Sequence, residues 1–265
     1  MAARIPRNSY YYHIKRKTIP DKYETIKEKV LNIYESNHGR YGYRRITATL
    51  RNEGITINHR TVQRLMRQLR LFCAVRMKKY NSYRHLYSNY VASDLLKRDF
   101  NAQQPNQKWV TDITEIQLCG QRLYFSPILD LYNREIISYR ISHRPKLSLV
   151  TDMLRAAFSK IPDSSNLILH SDQGWHYRVP TYIAMLQEKG IRQSMSRKGN
   201  CLDNAVMENF FGCMKSELLY LKHFSSVEAF IKELHDYIDY YNHQRIKAFL
   251  HDLSPVQYRL QNSAA

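Results

Sequence analysis

From Asp21 onward, apolar residues recur at steps of three and four, with Ile26, Val30, Ile33 and Tyr34 predicting an amphipathic helix. The stretch His38-Gly39-Arg40-Tyr41-Gly42 breaks it. A second helix carries Ile46 and Leu50 on one face, with Arg44, Arg45 and Arg51 elsewhere, and stops at Glu53-Gly54. Asn58 is suited to cap a third, Arg60 to Arg70, with Val62, Leu65, Met66 and Leu69 as its apolar stripe. Residues 73–107 show no clear period and read as a polar, basic linker closed by Pro105. Chance explains the spacing of Tyr80, Tyr83, Tyr87 and Tyr90 better than a shared face does.

The pattern then changes to alternation. Trp109 to Leu118 reads as one strand, placing Val110, Asp112, Thr114 and Ile116 on one face. Arg122 to Leu131 and Glu135 to Ile141 follow as strands, joined by turns at Gly120 and Asn133-Arg134. Leu147, Val150, Met153, Leu154, Ala157 and Phe158 mark a helix. Leu167 to Asp172 is nearly continuous apolar chain, as a strand buried on both faces requires. A helix (Pro180 to Lys189), a short strand (Ile191 to Met195) and a long helix (Asn204 to Leu221, Asp203 as cap) complete the series. Hairpin-linked strands followed by alternating helix and strand predict a mixed α/β sheet of five strands behind an all-α front.

Charge sharpens this division. The 265 residues carry a net charge of +18, and 43% hydrophobic content is enough for a core. Residues 1–100 hold 22 basic and 7 acidic side chains, residues 101–265 hold 19 and 16. A cationic front on a near-neutral body predicts a polyanion-binding module, with nucleic acid as the favoured partner. Short helices with Arg60, Gln63, Arg64, Arg67 and Arg70 on the last suit a helix-turn-helix entering a major groove about 12 Å wide. An ordinary bundle with a solvated basic face has the same pattern. No stretch approaches the roughly 20 apolar residues of a membrane span. Met1 to Lys17 has no apolar centre, so the cytosol is the expected address. Cys73, Cys119, Cys201 and Cys213 lack zinc-ligand spacing and read as small buried thiols.

Carboxylates stand where a core is expected. Asp112 falls on the apolar side of its strand and Asp172 at the end of a buried one, where ligands collect in α/β sheets. An uncompensated buried carboxylate costs several kcal/mol, so a positive partner or a shifted pKa is required. Glu208, Gly212 and Lys215 form a line along the last helix, apart from its packing stripe of Met207, Phe210, Phe211, Met214 and Leu218. A mid-helix glycine costs about 1 kcal/mol relative to alanine, which makes sense if another chain approaches closely. Each acid alone is more often a cap or half of a salt bridge. Two strand-borne aspartates with a helix-borne glutamate can hold two Mg²⁺ about 3.5–4 Å apart, and oxygen-only ligands disfavour zinc.

The stretches Trp109-Val-Thr-Asp112-Ile-Thr, His170-Ser-Asp172-Gln-Gly and Ser196 to Glu217 resemble the DDE transposases of bacterial insertion sequences. More closely, the chain resembles the second-frame product of a two-frame element, with the RNase H-like fold of retroviral integrases. Thirty-five residues separate Asp172 from Glu208, the interval of that family. Tyr241-Asn242-His-Gln-Arg245 and Leu253-Ser-Pro255-Val-Gln-Tyr258 are similar to its C-terminal signature, and His38 to Arg45 to its DNA-binding segment. Asp252 stands where relatives often have glycine, and the His/Cys zinc module of retroviral integrases is not seen.

The resemblance implies that Asp112, Asp172 and Glu208 are catalytic metal ligands, with Mg²⁺ as cofactor and Mn²⁺ as substitute. It makes Lys215 a DNA contact, and the helix-turn-helix reading of the basic front module adds Arg44, Arg45, Arg60, Gln63, Arg64 and Arg67 as DNA-binding candidates. Hydrolysis at an element end would free a 3′-hydroxyl for strand transfer. Double-stranded DNA, a second copy of the chain and a first-frame product are the implied partners, in a bacterial cytoplasm and on the nucleoid. The expected organisation is a basic arm (1–20), a helix-turn-helix-like domain (21–72), a linker (73–107), the catalytic core (108–225) and a C-terminal helix with tail (226–265). A non-catalytic repressor and a related endonuclease are the alternatives.

Overall fold

The computed structural model describes residues 6, 7, 11, 21–74, 90–162, 166–197 and 199–262, with the side chain of Cys201 left out. The rest of the basic arm and Tyr80, Tyr83 and Tyr87 lie outside the described residues. The chain divides into two units, Met1–Ala74 and Val75–Ala265.

The first unit contains α1 (Glu24–Ser36), α2 (Tyr43–Asn52) and α3 (His59–Gln68). Val30 and Ile33, Ile46 and Leu50, and Val62, Leu65 and Met66 are the buried stripes, so the three- and four-residue periods predicted from sequence are the packing faces. His38 and Gly39, at φ 51° and 72°, terminate α1 in the left-handed region. The Asn58 side chain accepts from Arg60 N at 2.9 Å and caps α3. That helix stops two residues before Arg70, which turns left-handed at φ 57° while Leu71 N reaches back to Met66 O.

The second unit is built on one mixed sheet. Its strands are β1 (Lys108–Thr111), β2 (Thr114–Leu118), β3 (Gln121–Asp130), β4 (Ile136–Ser142), β5 (Ile168–Ser171) and β6 (Arg192–Met195). Between them lie α4 (Leu147–Phe158) and α5 (Pro180–Glu188), and after them α6 (Ala205–Met214), α7 (Val227–His243) and α8 (Pro255–Asn262). The single strand expected over Trp109–Leu118 is two segments. Both keep one register against β3, from Trp109↔Asp130 through Thr114↔Phe125 to Leu118↔Gln121. The ladder lapses at Asp112-Ile113, where that register sets Pro127, which has no N–H, opposite Asp112. Six segments thus fill five positions across the sheet: β4, β3, β1 with β2, β5 and β6. β1 pairs with β5 and β5 with β6 in parallel, whereas β3 pairs antiparallel with β1, β2 and β4 and alone runs the other way. Cys119 and Gly120, at φ 48° and 70°, make the two-residue turn of the β2–β3 hairpin.

The core gathers Trp109, Ile128, Val150, Met153, Leu154, Leu167, Leu169, Tyr177 and Tyr182 between the sheet and its helices. Residues 90–107 form no helix or strand among the described residues, yet they dock on this unit. Leu95 N donates to Ser194 Oγ, Leu96 is buried, and Lys108 binds Asp99 at 2.8 Å. The cysteines are a correction: Cys73 and Cys119 are exposed and Cys213 is half-buried. Cys119 is carried outward by its hairpin turn, and Cys73 lies beyond the last packed helix of its unit.

The C-terminal signature braces the sheet. Asn242 pairs with both backbone groups of Ile136, standing in for a neighbouring strand on the outer edge of β4. α6 continues into a widened turn, Lys215–Leu219, where Glu217 is buried and takes two bonds from Arg245, at 2.7 and 2.6 Å, and one from Tyr237 at 3.1 Å. Ser254 and Gln257 bond reciprocally across the start of α8, with Pro255 at its first position. Asp252, in the place noted for glycine, has φ 60°. Breaking a buried ion pair leaves a naked charge, which costs about 3–5 kcal/mol. Arg245→Met is therefore expected to lower the unfolding free energy by that amount in urea titrations. Adding Glu217→Leu should recover most of it; a single variant as stable as the parent would contradict this role.

Candidate active site

The parallel pairing of β1 with β5 sets the geometry. Lys108, Trp109 and Val110 lie opposite Ile168, Leu169 and His170. Carried two residues past its last pair, that register sets Asp112 opposite Asp172, and the charge of Asp172 acts on Asp112. The sequence separates them widely; the sheet makes them neighbours. Each is half-buried at its strand's end, and each is fixed by a local amide: Asp112 Oδ1 accepts from Ile113 N at 2.7 Å, Asp172 Oδ1 from Gly174 N at 2.8 Å.

Glu208 arrives on α6. The start of that helix is tied to β1 by Asn204, whose Nδ2 donates to Thr111 O at 3.4 Å, one residue before Asp112. Asp203 is not the expected helix cap. It is buried and receives Arg197 Nε and Nη2 at 2.9 Å each and Arg98 Nε at 2.8 Å. The Arg197 bond foremost holds its carboxyl far below the ordinary range, so Asp203 fastens the loop leading to α6 as a permanent anion.

Electrostatics link Asp112 to both of the other acids. Burial, then the charge of Asp172, then that of Glu208 raise the Asp112 carboxyl well above its ordinary value, opposed by Ile113 N–H and Lys215. Burial raises Asp172, against the Gly174 N–H and His176. Burial raises Glu208 as well. Lys215 is half-buried and lowered by desolvation, while Asp112 and Glu115 pull it back up. Among the described residues no three acidic, histidine or cysteine side chains close on a single point. The acids are coupled through space, with one oxygen of each aspartate engaged by its own loop. Such a cluster of carboxyl groups suits a hard divalent cation or a shared proton.

Pattern reading missed the residues around this cluster. Tyr177 and Tyr182 are fully buried; burial raises both phenols, with the charge of Asp172 adding to both and that of Asp112 to Tyr177. His176 is buried, bonds Pro145 O at 2.8 Å and stacks on the exposed ring of Trp175. Nothing in the local periodicity announces His176 and Tyr177, because they sit on a short turn, Trp175–Arg178, while Tyr182 follows on α5. In the first unit, Arg60, Arg64 and Arg67 are exposed on α3 and Gln63 is half-buried. Arg64 lies over Tyr23, the exposed Arg44 over Tyr43, and the half-buried Arg45 over Tyr41.

Family models for an integrase core domain match residues 102–201 and 208–262, and a model for an HTH-like domain matches 21–80. A simian T-cell lymphotropic virus intasome structure aligns with 87% of this chain and 74% of its own, at TM-score 0.50 and 15% identity. The class is thus an integrase-type, RNase H-like core behind a helix-turn-helix-like unit. Across 98% of this chain and 92% of the relative, it is 51% identical to the putative transposase InsK for insertion sequence element IS150 of Escherichia coli K12. Over the same shares it is 34% identical to transposase InsF for insertion sequence IS3A of that organism. The chain belongs to the insertion-sequence transposases and acts on DNA as one.

Gly174 offers a direct check of the geometry. A Cβ built there would stand 2.9 Å from Asp172 Oδ1, so the carboxylate must move. Gly174→Ala is expected to cut DNA cleavage about 10²-fold, the scale of a misplaced catalytic group, with little change in melting temperature. Undiminished cleavage would show that the Asp172 position is not critical.

Proposed function

We propose that Asp112, Asp172 and Glu208 are the catalytic carboxylates of this transposase and hold two divalent cations, Mg²⁺ with Mn²⁺ as substitute. The observation that supports this reading is the β1–β5 register, which, carried two residues past its last pair, sets Asp112 opposite Asp172, while the charges of Asp172 and Glu208 both act on Asp112. The donor set fits: carboxylate oxygens without histidine or cysteine suit a hard cation, and burial, which raises all three acids, disfavours their charged forms until a cation compensates them. When bound, such ions supply an activated oxygen nucleophile and charge neutralisation at the phosphodiester.

The chain's own groups bind and orient. Lys215 presents an ammonium beside Asp112, suited to a DNA phosphate. Gly212, on the same line of α6, is exposed, and a Cβ there would meet nothing within 4 Å, so a strand can come close. Ile113 N–H and Gly174 N–H hold one oxygen of each aspartate and leave the other for the reaction. Arg60, Gln63, Arg64 and Arg67 on α3, with Arg44 and Arg45 on α2, serve duplex binding. Water cleaves a phosphodiester at the element end and frees a 3′-hydroxyl. That hydroxyl then attacks a target phosphodiester and displaces its 3′-oxygen, with no covalent enzyme intermediate. A second copy of the chain pairs the two ends, and a first-frame product cooperates with or is fused to this chain.

Two outcomes are expected. Purified protein with Mg²⁺ nicks and joins DNA carrying the cognate ends, and Asp172→Asn abolishes both products on gels; residual joining by that variant would contradict the assignment. The second concerns pH. A carboxyl raised in the folded chain binds its proton more tightly there, so its contribution to stability is lost as pH climbs from the ordinary carboxylate range through the raised value. Melting temperature without metal should fall over that rise, and Mg²⁺ should restore it in the parent but not in Asp112→Asn. An identical Mg²⁺ response in both would count against metal binding at these acids.

A further inference from the structure

Away from the acidic cluster, the second unit holds cations with no anion to meet them. Arg134 stands in the turn between β3 and β4, and Lys247 and Phe249 follow α7. The Arg134 Nη2 donates to Phe100 O at 3.3 Å, but its Nη1 is buried with no hydrogen-bond partner. The Lys247 ammonium lies 4.1 Å from the centre of the Tyr241 ring and donates to the Tyr241 hydroxyl at 2.7 Å. Neither makes an ion pair among the described residues. Glu217 is engaged by Arg245, and both oxygens of Asp130 are engaged by the N–H groups of Asn106 and Tyr132. Burial lowers both cations, and Lys247 is lowered further by Arg245 and Arg134.

Phe249 joins them. Its ring is 58% exposed, with the Arg134 guanidinium 5.6 Å and the Lys247 ammonium 6.0 Å from its centre. Arg134 also sits at φ 64°, a backbone state that glycine or asparagine would adopt at lower cost. Burial disfavours the charged forms of two basic groups held around one surface ring, and an anion that came up to them would favour those forms. Phosphate accepts from both cations, and a flat exposed ring offers a base a stacking surface.

We propose that Arg134, Lys247 and Phe249 form a second nucleic-acid contact, taking one backbone phosphate between the two cations and a neighbouring base or sugar against the ring. Only the nature of the polymer rests on the transposase reading. The site itself requires neither metal nor cleavage, so it can fail while the acidic cluster stands, and the reverse.

The test is equilibrium binding of the full chain to a long random-sequence duplex and to single-stranded DNA, without metal, by fluorescence anisotropy over a salt series. Lys247→Met should make the dependence of log K on log salt shallower by about one unit, the signature of one lost phosphate contact. Phe249→Ala should weaken binding about fivefold or more with little change in that slope. If Lys247→Met melts early, the exposed Phe249 position decides. Unchanged affinity and slope in the folded variants would overturn the proposal and leave the cations to an acidic protein segment.

Discussion

The fold is organised around an electrostatic cost. Parallel pairing of β1 with β5 brings two carboxyl groups side by side at the ends of strands that are otherwise buried, and α6 adds a third within range of their charge. Like charges that close repel, and burial strengthens the repulsion by removing solvent screening. A chain selected only for stability would place apolar residues there. The surrounding structure instead holds the acids: amides of Ile113 and Gly174 on one side, Lys215 on another, and Asn204 anchoring the start of α6 to β1.

Holding an unfavourable cluster requires stability elsewhere, and the C-terminal third contributes it. Glu217 lies two residues past Lys215, the end of the line that begins at Glu208, and is gripped by Arg245 and Tyr237 from α7 and its sequel. Asn242 on the same helix seals the outer edge of β4. At the other end of α6, Arg197 and Arg98 fasten Asp203. The helix that carries Glu208 is therefore pinned at both ends by ion pairs, one buried and one partly exposed, while Glu208 itself is left without an ion-pair partner among the described residues. That contrast separates structural acids from candidate catalytic ones better than burial alone does.

Much of this was legible in the sequence. The three front helices were, because each buries one apolar stripe and leaves polar and charged residues, arginines on the second and third, on the rest. The run of β5 was too, since Ile168 to Ser171 is buried on both faces. The break at Asp112 was not: side-chain alternation continues unbroken through Trp109–Leu118, and only the backbone ladder lapses, opposite a proline eighteen residues from the start of that run. Asp203 was misread as a cap because its partners, Arg98 and Arg197, come from segments with no period of their own. Residues 90–97 read as linker for the same reason, although Leu96 is buried in the second unit. The adjacency of Asp112 and Asp172 is a property of register, which no spacing along the chain contains. Glu208 was singled out by its line on the helix and by family resemblance, whereas Gly174, His176 and Tyr177 needed coordinates.

The central claim is that three acids distant in the chain act as one cation site. Calorimetric titration of the intact protein with Mn²⁺, run in two buffers of different ionisation enthalpy, measures it without DNA or turnover. Acids raised by burial must give up protons when a cation replaces them, so uptake should release protons across the pH range in which these carboxyl groups titrate. Asp112→Asn and Glu208→Gln should each weaken uptake and reduce that release. Mn²⁺ binding that is equally strong in both variants, or a heat independent of the buffer, would contradict the account.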